Sequence, residues 1–244
     1  MRCFLPNSAS SVLLPFSVRR LRFIPLAFLL AHLAPAQTIH QQLYWTRLSF
    51  SMPLNTRWSL RAEADERRLI RPDRQAQFIV HLQAARRLNA HWEWGLTQTF
   101  SAVTRNILTV PEWRPSSEIT YNFRIGARWR CVQRLRTEAR WLHRNDGKLL
   151  LEGYQLRARF RYRLQMERTL GTRWLLRLND EIMVHHDGFD QNRTYLSFVR
   201  QLSAHLSLEL GCLKVLQQRS SGGLVWQDVL RGTVYWRGYG RSNR

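Results

Sequence analysis

Cysteine is scarce in this chain: three residues in 244, too few for a disulfide framework. Cys131 and Cys212 both fall on apolar faces, where a free thiol acts as a small packing residue. Lysine is scarcer still, two against 36 arginines, so the chain has no lysine-rich tail. After residue 36 no apolar run approaches the ~18 residues that a spanning helix needs. Glycine-rich phosphate loops are absent, and so is any Gly-x-Ser-x-Gly nucleophile phrase. Acidic residues are missing altogether from the first 36 positions.

What is abundant is arginine. Thirty-eight basic against 17 acidic side chains give a net charge of +21, which raises nucleic acid as a partner. The distribution argues against it. Most of the arginines are threaded singly, often at every second residue, and the aromatics are expected on the opposite face. Binding a single strand needs stacking and phosphate contacts side by side. No nucleic acid partner is therefore expected.

The acid-free start has its own pattern. Arg19, Arg20 and Arg22 precede the apolar run Phe23–Leu33, and Ala34-Pro-Ala36 follows. A basic region, an apolar core and a small-x-small site make a secretory signal, expected to span 1–36 and to be cut after Ala36. A mitochondrial transit peptide is the rival reading, since arginine, serine and the lack of acids suit it too. The remainder, 37–244, reads as one domain without a linker or low-complexity segment, at a net charge of +17.

Five times a seven-residue phrase recurs: Leu54–Leu60, Leu88–Trp94, Ile125–Cys131, Leu170–Leu176 and Leu202–Leu208. In each, an apolar residue and a Trp (Leu in the last) flank three residues led by Asn, Gly or Ser. Those residues tolerate positive φ or bond their own backbone, so each copy reads as a three-residue hairpin turn. Between copies the side chains alternate with period two, the strand signature. Tyr44, Leu48, Phe50 and Met52 share one face, as do Tyr154, Leu156, Ala158, Phe160 and Tyr162; Arg, Glu, Gln, Ser and Thr take the other. Longer connections are expected near 69–75, 104–116, 143–152, 186–191 and 218–224, where Pro, Asn-Asp-Gly and Gly-Gly occur.

The fold class implied is all-β: an antiparallel up-and-down β-barrel of 10–12 strands, with short turns at one rim and longer loops at the other. Strands of about ten residues, tilted, cross a bilayer. Two orientations share the alternation. A soluble barrel puts its apolar face inward, and an outer-membrane barrel turns it to lipid and closes polar groups within. An export signal and a Trp beside four of the five turns favour the second. Trp58, Trp92, Trp129 and Trp174 then form an aromatic girdle at the membrane interface.

Register gives a further argument. If Leu54 opposes Trp58, and each copy follows the same rule, Arg47 faces Asp65, Arg87 faces Glu93, Glu118 faces Arg136 and Arg163 faces Glu181. Opposite charges then meet across four hairpins of five on the polar face. Inside a narrow barrel an unpaired charge is costly, which makes such pairing nearly obligatory.

Together with the hairpins, the segments Arg136-Thr-Glu138-Ala-Arg140, Asn179-Asp-Glu181 and Gln191-Asn192-Arg193 carry a family likeness. Over about residues 40–238 the chain resembles the uncharacterised bacterial outer-membrane barrels grouped as domain of unknown function 2490. The resemblance implies an outer-membrane β-barrel of a Gram-negative bacterium, with the lipid bilayer and the outer-membrane assembly machinery as partners and no assigned activity. Barrels of this kind often end on an aromatic, whereas here Trp236 and Tyr239 are followed by Arg241-Ser-Asn-Arg244.

The interior network expected on this reading comprises Arg47, Asp65, Arg87, Glu93, Glu118, Arg136, Glu138, Arg140, Arg157, Arg159, Arg161, Arg163, Glu181 and Arg193. Within it, Arg157, Arg159, Arg161 and Arg163 share one strand face at roughly 6.6 Å spacing. They form either an anion-attracting wall or a structural network with Glu138 and Glu181. Side chains are expected to fill the lumen. The function expected is structural, in envelope interaction, or in anion-tolerant transport, without a cofactor. His185-His186-Asp187 and Ser220-Ser221 keep a membrane-embedded lipid-modifying hydrolase in view. A soluble periplasmic barrel binding an anionic ligand is the third candidate. No metal site is expected, since adjacent His185 and His186 point opposite ways on a strand.

Overall fold

The structure, a computed structural model, describes residues 38–105, 108–218 and 223–239. The expected signal at 1–36 and Ser220-Ser221 lie outside the described residues. The described residues form eleven strands and no helix: β1 Thr38–Pro53, β2 Trp58–Leu69, β3 Arg74–Arg87, β4 Trp92–Arg105, β5 Leu108–Ile125, β6 Trp129–Asn145, β7 Leu150–Leu170, β8 Trp174–His185, β9 Gly188–Gln201, β10 Leu206–Gln218 and β11 Leu224–Arg237. Each pairs with its sequence neighbour, and β1 pairs with β11 to close the barrel.

Every neighbouring pair but one is antiparallel. The β1–β11 seam is parallel, from Thr38↔Leu224 to Ser51↔Arg237. Parity demands it: an odd number of alternating strands brings the last round in the direction of the first. A parallel ladder is slightly weaker per residue, and here a long one closes the wall.

The five repeated phrases are the tight turns. Two chemistries build them. The Asn55 Oδ1 accepts from the backbone N–H of Arg57 and Trp58 at 2.8 Å each, and Asn89 does the same for His91 and Trp92 at 2.9 Å. The hydroxyl of Ser203 accepts from His205 and Leu206 at 3.2 and 3.1 Å. Gly126 and Gly171 instead sit at φ 65° and 75°, the left-handed region where a Cβ is penalised.

At the opposite rim, much of what reads as loop in the sequence is strand. β5 begins at Leu108 and carries Pro111 and Pro115 inside it. Proline donates no N–H, and the β5–β6 ladder skips Arg114 and Pro115, resuming at Ser116↔Glu138. β6 and β7 run on to Asn145 and Leu150, joined by residues 146–149. There Asp146 accepts from Lys148 and Leu149 N–H at 2.8 Å, which holds its carboxyl below the usual carboxylate range. Along β9 a bulge opposite Met183 and Val184 admits Asp190 as an extra, buried residue.

Polar side chains point inward. Ser49, Asp65, Thr97, Glu112, Glu118, Glu138, Glu181 and Glu209 are buried, while Leu48, Phe50, Leu82, Phe100, Leu135, Phe160, Phe198 and Leu230 are exposed. One apolar cluster lies inside, near the seam: Leu43, Trp45, Leu69, Tyr195, Leu213, Val215 and Val229; Trp45 and Tyr195 thus share the face of the arginines, against the expectation that the aromatics lie opposite them.

The seam side also holds a tight approach. A Cβ built on Gly211 of β10 would collide with the Leu196 carbonyl oxygen and with Ser197, which is fully buried. Gly211→Ala should therefore destabilise the barrel by about 1–3 kcal/mol, the usual cost of overpacking. Gly232→Ala, with nothing within 4 Å of its Cβ, should be silent. Urea titrations of the folded band on detergent gels compare the two.

Candidate functional site

The lumen is the one place where charged groups of many strands converge. It encloses about 1780 Å³ and is lined from Leu142, His143 and Gln217 near one rim to Thr172, Ala204 and His205 at the other. Side chains therefore do not fill it, contrary to expectation for a small barrel. Eleven strands give a wider circumference than the eight that side chains can fill. Nineteen arginines and nine carboxylates line it, and Asp65 and Glu138 are buried behind that lining, so the wall still carries an excess of positive charge.

The ion pairs concentrate on β5 to β8. Register alone is unfavourable there, because β6 and β7 place Arg134 opposite Arg163, Arg136 opposite Arg161 and Arg140 opposite Arg157. Like charges directly across a ladder destabilise it. Carboxylates intercalate to relieve this. Glu138 holds Arg159 at 2.5 Å and Arg161 at 2.6 Å. The second nitrogen of Arg161 reaches Glu181 at 2.7 Å, and Glu181 also holds Arg134 at 2.7 Å. Glu118 takes Arg136 at 2.5 Å and the Gln83 amide at 2.6 Å. Glu112 binds Arg140 at 2.5 Å and Arg114 at 2.8 Å.

Smaller clusters complete the wall. Arg47 forks onto both oxygens of Asp65 and reaches Glu63 at 2.8 Å. Arg177 joins Glu167 at 3.0 Å and Glu209 at 2.9 Å, with the Tyr235 hydroxyl donating to Glu209. Arg159 extends to Asp190 at 3.1 Å, and the His185 ring lies 3.4 Å from the same carboxylate.

Of the four charge pairs expected from register, all four are register partners. Two of them, Arg47–Asp65 and Glu118–Arg136, are also ion pairs. Arg87 is exposed at the turn rim, and among the described residues no ion pair joins it to Glu93. Arg163 lies opposite Glu181, yet the Glu181 oxygens go to Arg134 and Arg161, and the Arg163 Nε has no partner. Long guanidinium side chains reach diagonal neighbours, so register fixes the face but not the partner. In the expected ladder Arg159 and Arg161 belong to the structural network, while among the described residues Arg157 hydrogen-bonds Gln155 alone, at 3.3 Å; outside the ladder, Arg193 hydrogen-bonds Gln191 at 2.9 Å.

Glu112, Arg114 and Asp190 are not legible in the sequence, because each falls in a stretch that reads as loop. Nor is a feature at the turn rim. The turn-flanking Trp58, Trp92, Trp129 and Trp174 each have a basic or aromatic partner across the ladder. Arg86 lies 5.7 Å over Trp58, Arg168 5.4 Å over Trp129 and Arg200 5.3 Å over Trp174. Trp92 packs on Tyr121 at 4.7 Å.

His186 is exposed and His185 lines the lumen. Among the described residues no group of His, Cys, Asp and Glu could hold a metal ion. Residues 42–226 match a family model described as protein of unknown function (DUF2490). No curated protein matches the chain.

Proposed function

Since the chain belongs to the DUF2490 family of proteins of unknown function, we propose its role from the barrel itself: it spans the outer membrane of a Gram-negative envelope and presents an arginine-lined lumen to anions. The observation that carries this reading is the apolar outer surface. Leu48, Leu82, Leu96, Phe100, Leu135, Phe160, Phe198 and Leu230 are each exposed, on strand after strand around the wall. Contiguous apolar patches beyond a few hundred Å² mark contact with membrane or partner. Closure of the ladder leaves no strand edge, which hydrocarbon does not tolerate. Strands of 12 to 21 residues suffice to cross. The Trp–Arg girdle supports an interface at the turn rim, since amphipathic rings rest at headgroup level and guanidiniums meet lipid phosphates.

The lumen's excess of arginine supports the second half of the reading, because a cationic channel wall focuses anions. Its partners on this view are the bilayer and the outer-membrane assembly machinery. Cell fractionation tests the location. The protein should stay in the outer-membrane pellet through salt and alkaline washes, and unheated samples should run faster than boiled ones on detergent gels. Release into either wash would overturn the reading in favour of a soluble periplasmic barrel.

A further inference from the structure

We propose that the lumen wall beside the β1–β11 seam is a binding site for a tetrahedral oxyanion of the phosphate class, formed by Trp45, Arg67, Arg193 and Arg231. The site deepens the reading of the lumen as an anion path and rests on it.

The residues meet through the ladder. Trp45 on β1 pairs in register with Arg67 on β2 and with Arg231 on β11. Arg67 lies over the Trp45 ring, its guanidinium carbon 4.0 Å from the centroid. Arg193, reaching from β9, lies 5.4 Å from the same centroid. The two guanidinium carbons are thus no more than 9.4 Å apart. Arg231 stands 5.3 Å over Tyr195. All of these side chains line the lumen.

The carboxylates that neutralise β5 to β8 have few counterparts here. Arg193 lies opposite Glu181 in register, but the Glu181 oxygens are taken by Arg134 and Arg161, and among the described residues Arg193 makes no ion pair and bonds the Gln191 amide oxygen. Arg231 makes no side-chain hydrogen bond or ion pair among the described residues. Arg67 shares Asp65, at 3.5 Å, with the closer Arg47, and otherwise binds Gln77 at 2.9 Å. Donors are left over: the indole Nε1 of Trp45 and the Nε of Arg67 and of Arg193 are buried without a partner among the described residues. Trp45 is only 5% exposed. Indole and guanidinium can donate and never accept, so the set calls for an acceptor that carries negative charge.

The surroundings preorganise it. Leu43, Leu69, Tyr195, Leu213 and Val215 pack around Trp45 and fix the indole. Stacking on an aromatic face orients a guanidinium and leaves its edge free for an oxyanion. A low-dielectric backing strengthens each charge-assisted bond. Elsewhere in the wall, Arg134, Arg161 and Arg163 also have an unpartnered Nε, but the terminal nitrogens of Arg134 and Arg161 are ion-paired, and Arg163 faces Glu181 across the ladder and is stacked on no aromatic ring among the described residues. Arg193 and Arg231 are not so occupied.

Titration calorimetry of the folded protein in detergent, with inorganic phosphate and then sulfate and acetate, tests the site without a bilayer. Phosphate should bind, and Arg193→Gln with Arg231→Gln should weaken it by about tenfold or more. Trp45→Phe keeps the ring and removes the donor, so it should weaken phosphate several-fold even where the double variant does not fold. Lys214→Gln, on the outer face, should change nothing. Acetate binding as tight as phosphate would make the site a general carboxylate site and overturn the assignment. So would an undetectable heat for the wild type, or equal affinity in the wild type and Trp45→Phe. None of these outcomes depends on where the protein fractionates, so failure of the site and failure of the membrane reading are separate results.

Discussion

Glu138→Ala should abolish or severely impair folding. Its carboxylate, 1% exposed, is the shared partner of Arg159 and Arg161, themselves 7% and 9% exposed, and lies 3.8 Å from Arg136 and 3.9 Å from Arg114. Removing it leaves several guanidiniums crowded around an empty position, with Arg136 and Arg161 still opposed in register. Removing one partner of a buried ion pair costs about 3–5 kcal/mol, a large part of a typical domain's stability. Glu138→Gln keeps an acceptor of the same shape and should lose less. Glu181→Ala should also be harmful, by stranding Arg134 and Arg161. Refolding yield, read as the fast-migrating band on detergent gels across a urea series, ranks the variants. Wild-type yield from Glu138→Ala would show that water in the lumen screens these charges and that the network is not structural.

The same network shows which parts of the structure the amino-acid pattern carries. Alternation has a period of two, and the Asn, Gly and Ser turns set its phase, so the register of each turn hairpin follows from local chemistry alone. Arg47 against Asp65 and Glu118 against Arg136 were legible for that reason. The partners of Glu138 and Glu181 were not, because they depend on how far guanidiniums reach across two ladders. Val110-Pro111 and Arg114-Pro115 read as a loop because proline breaks a ladder. β5 keeps them by pairing fully with β4 and giving up bonds to β6. Glu112 and Arg114 were hidden with them. The seam is a third case. Nothing local in β1 or β11 announces a parallel partner at a sequence distance of 186 residues; the odd strand count imposes it. Trp45 and Arg231, neighbours only through that seam, could therefore not be brought together from sequence.

Leu135→Arg separates the membrane reading from the soluble one by the sign of its effect. Leu135 lies midway along β6, 51% exposed, between Ile119 of β5 and Tyr162 of β7, both exposed. In water an arginine there would touch nothing charged, and exposed substitutions of this kind stay within about 0.5 kcal/mol of neutral. Solubility would improve, if anything, as an apolar patch is broken. In a bilayer the guanidinium would sit in hydrocarbon, where arginine at the midplane costs about 2–4 kcal/mol. Placed nearer the turn rim, as Leu210→Arg on β10, the same charge can snorkel to the headgroups and should cost less. A depth-dependent loss of folding into lipid vesicles, larger for Leu135→Arg than for Leu210→Arg, is the expected result. Equal and negligible effects in vesicles would mean that these leucines face water, and the outer surface would then need a protein partner to cover it.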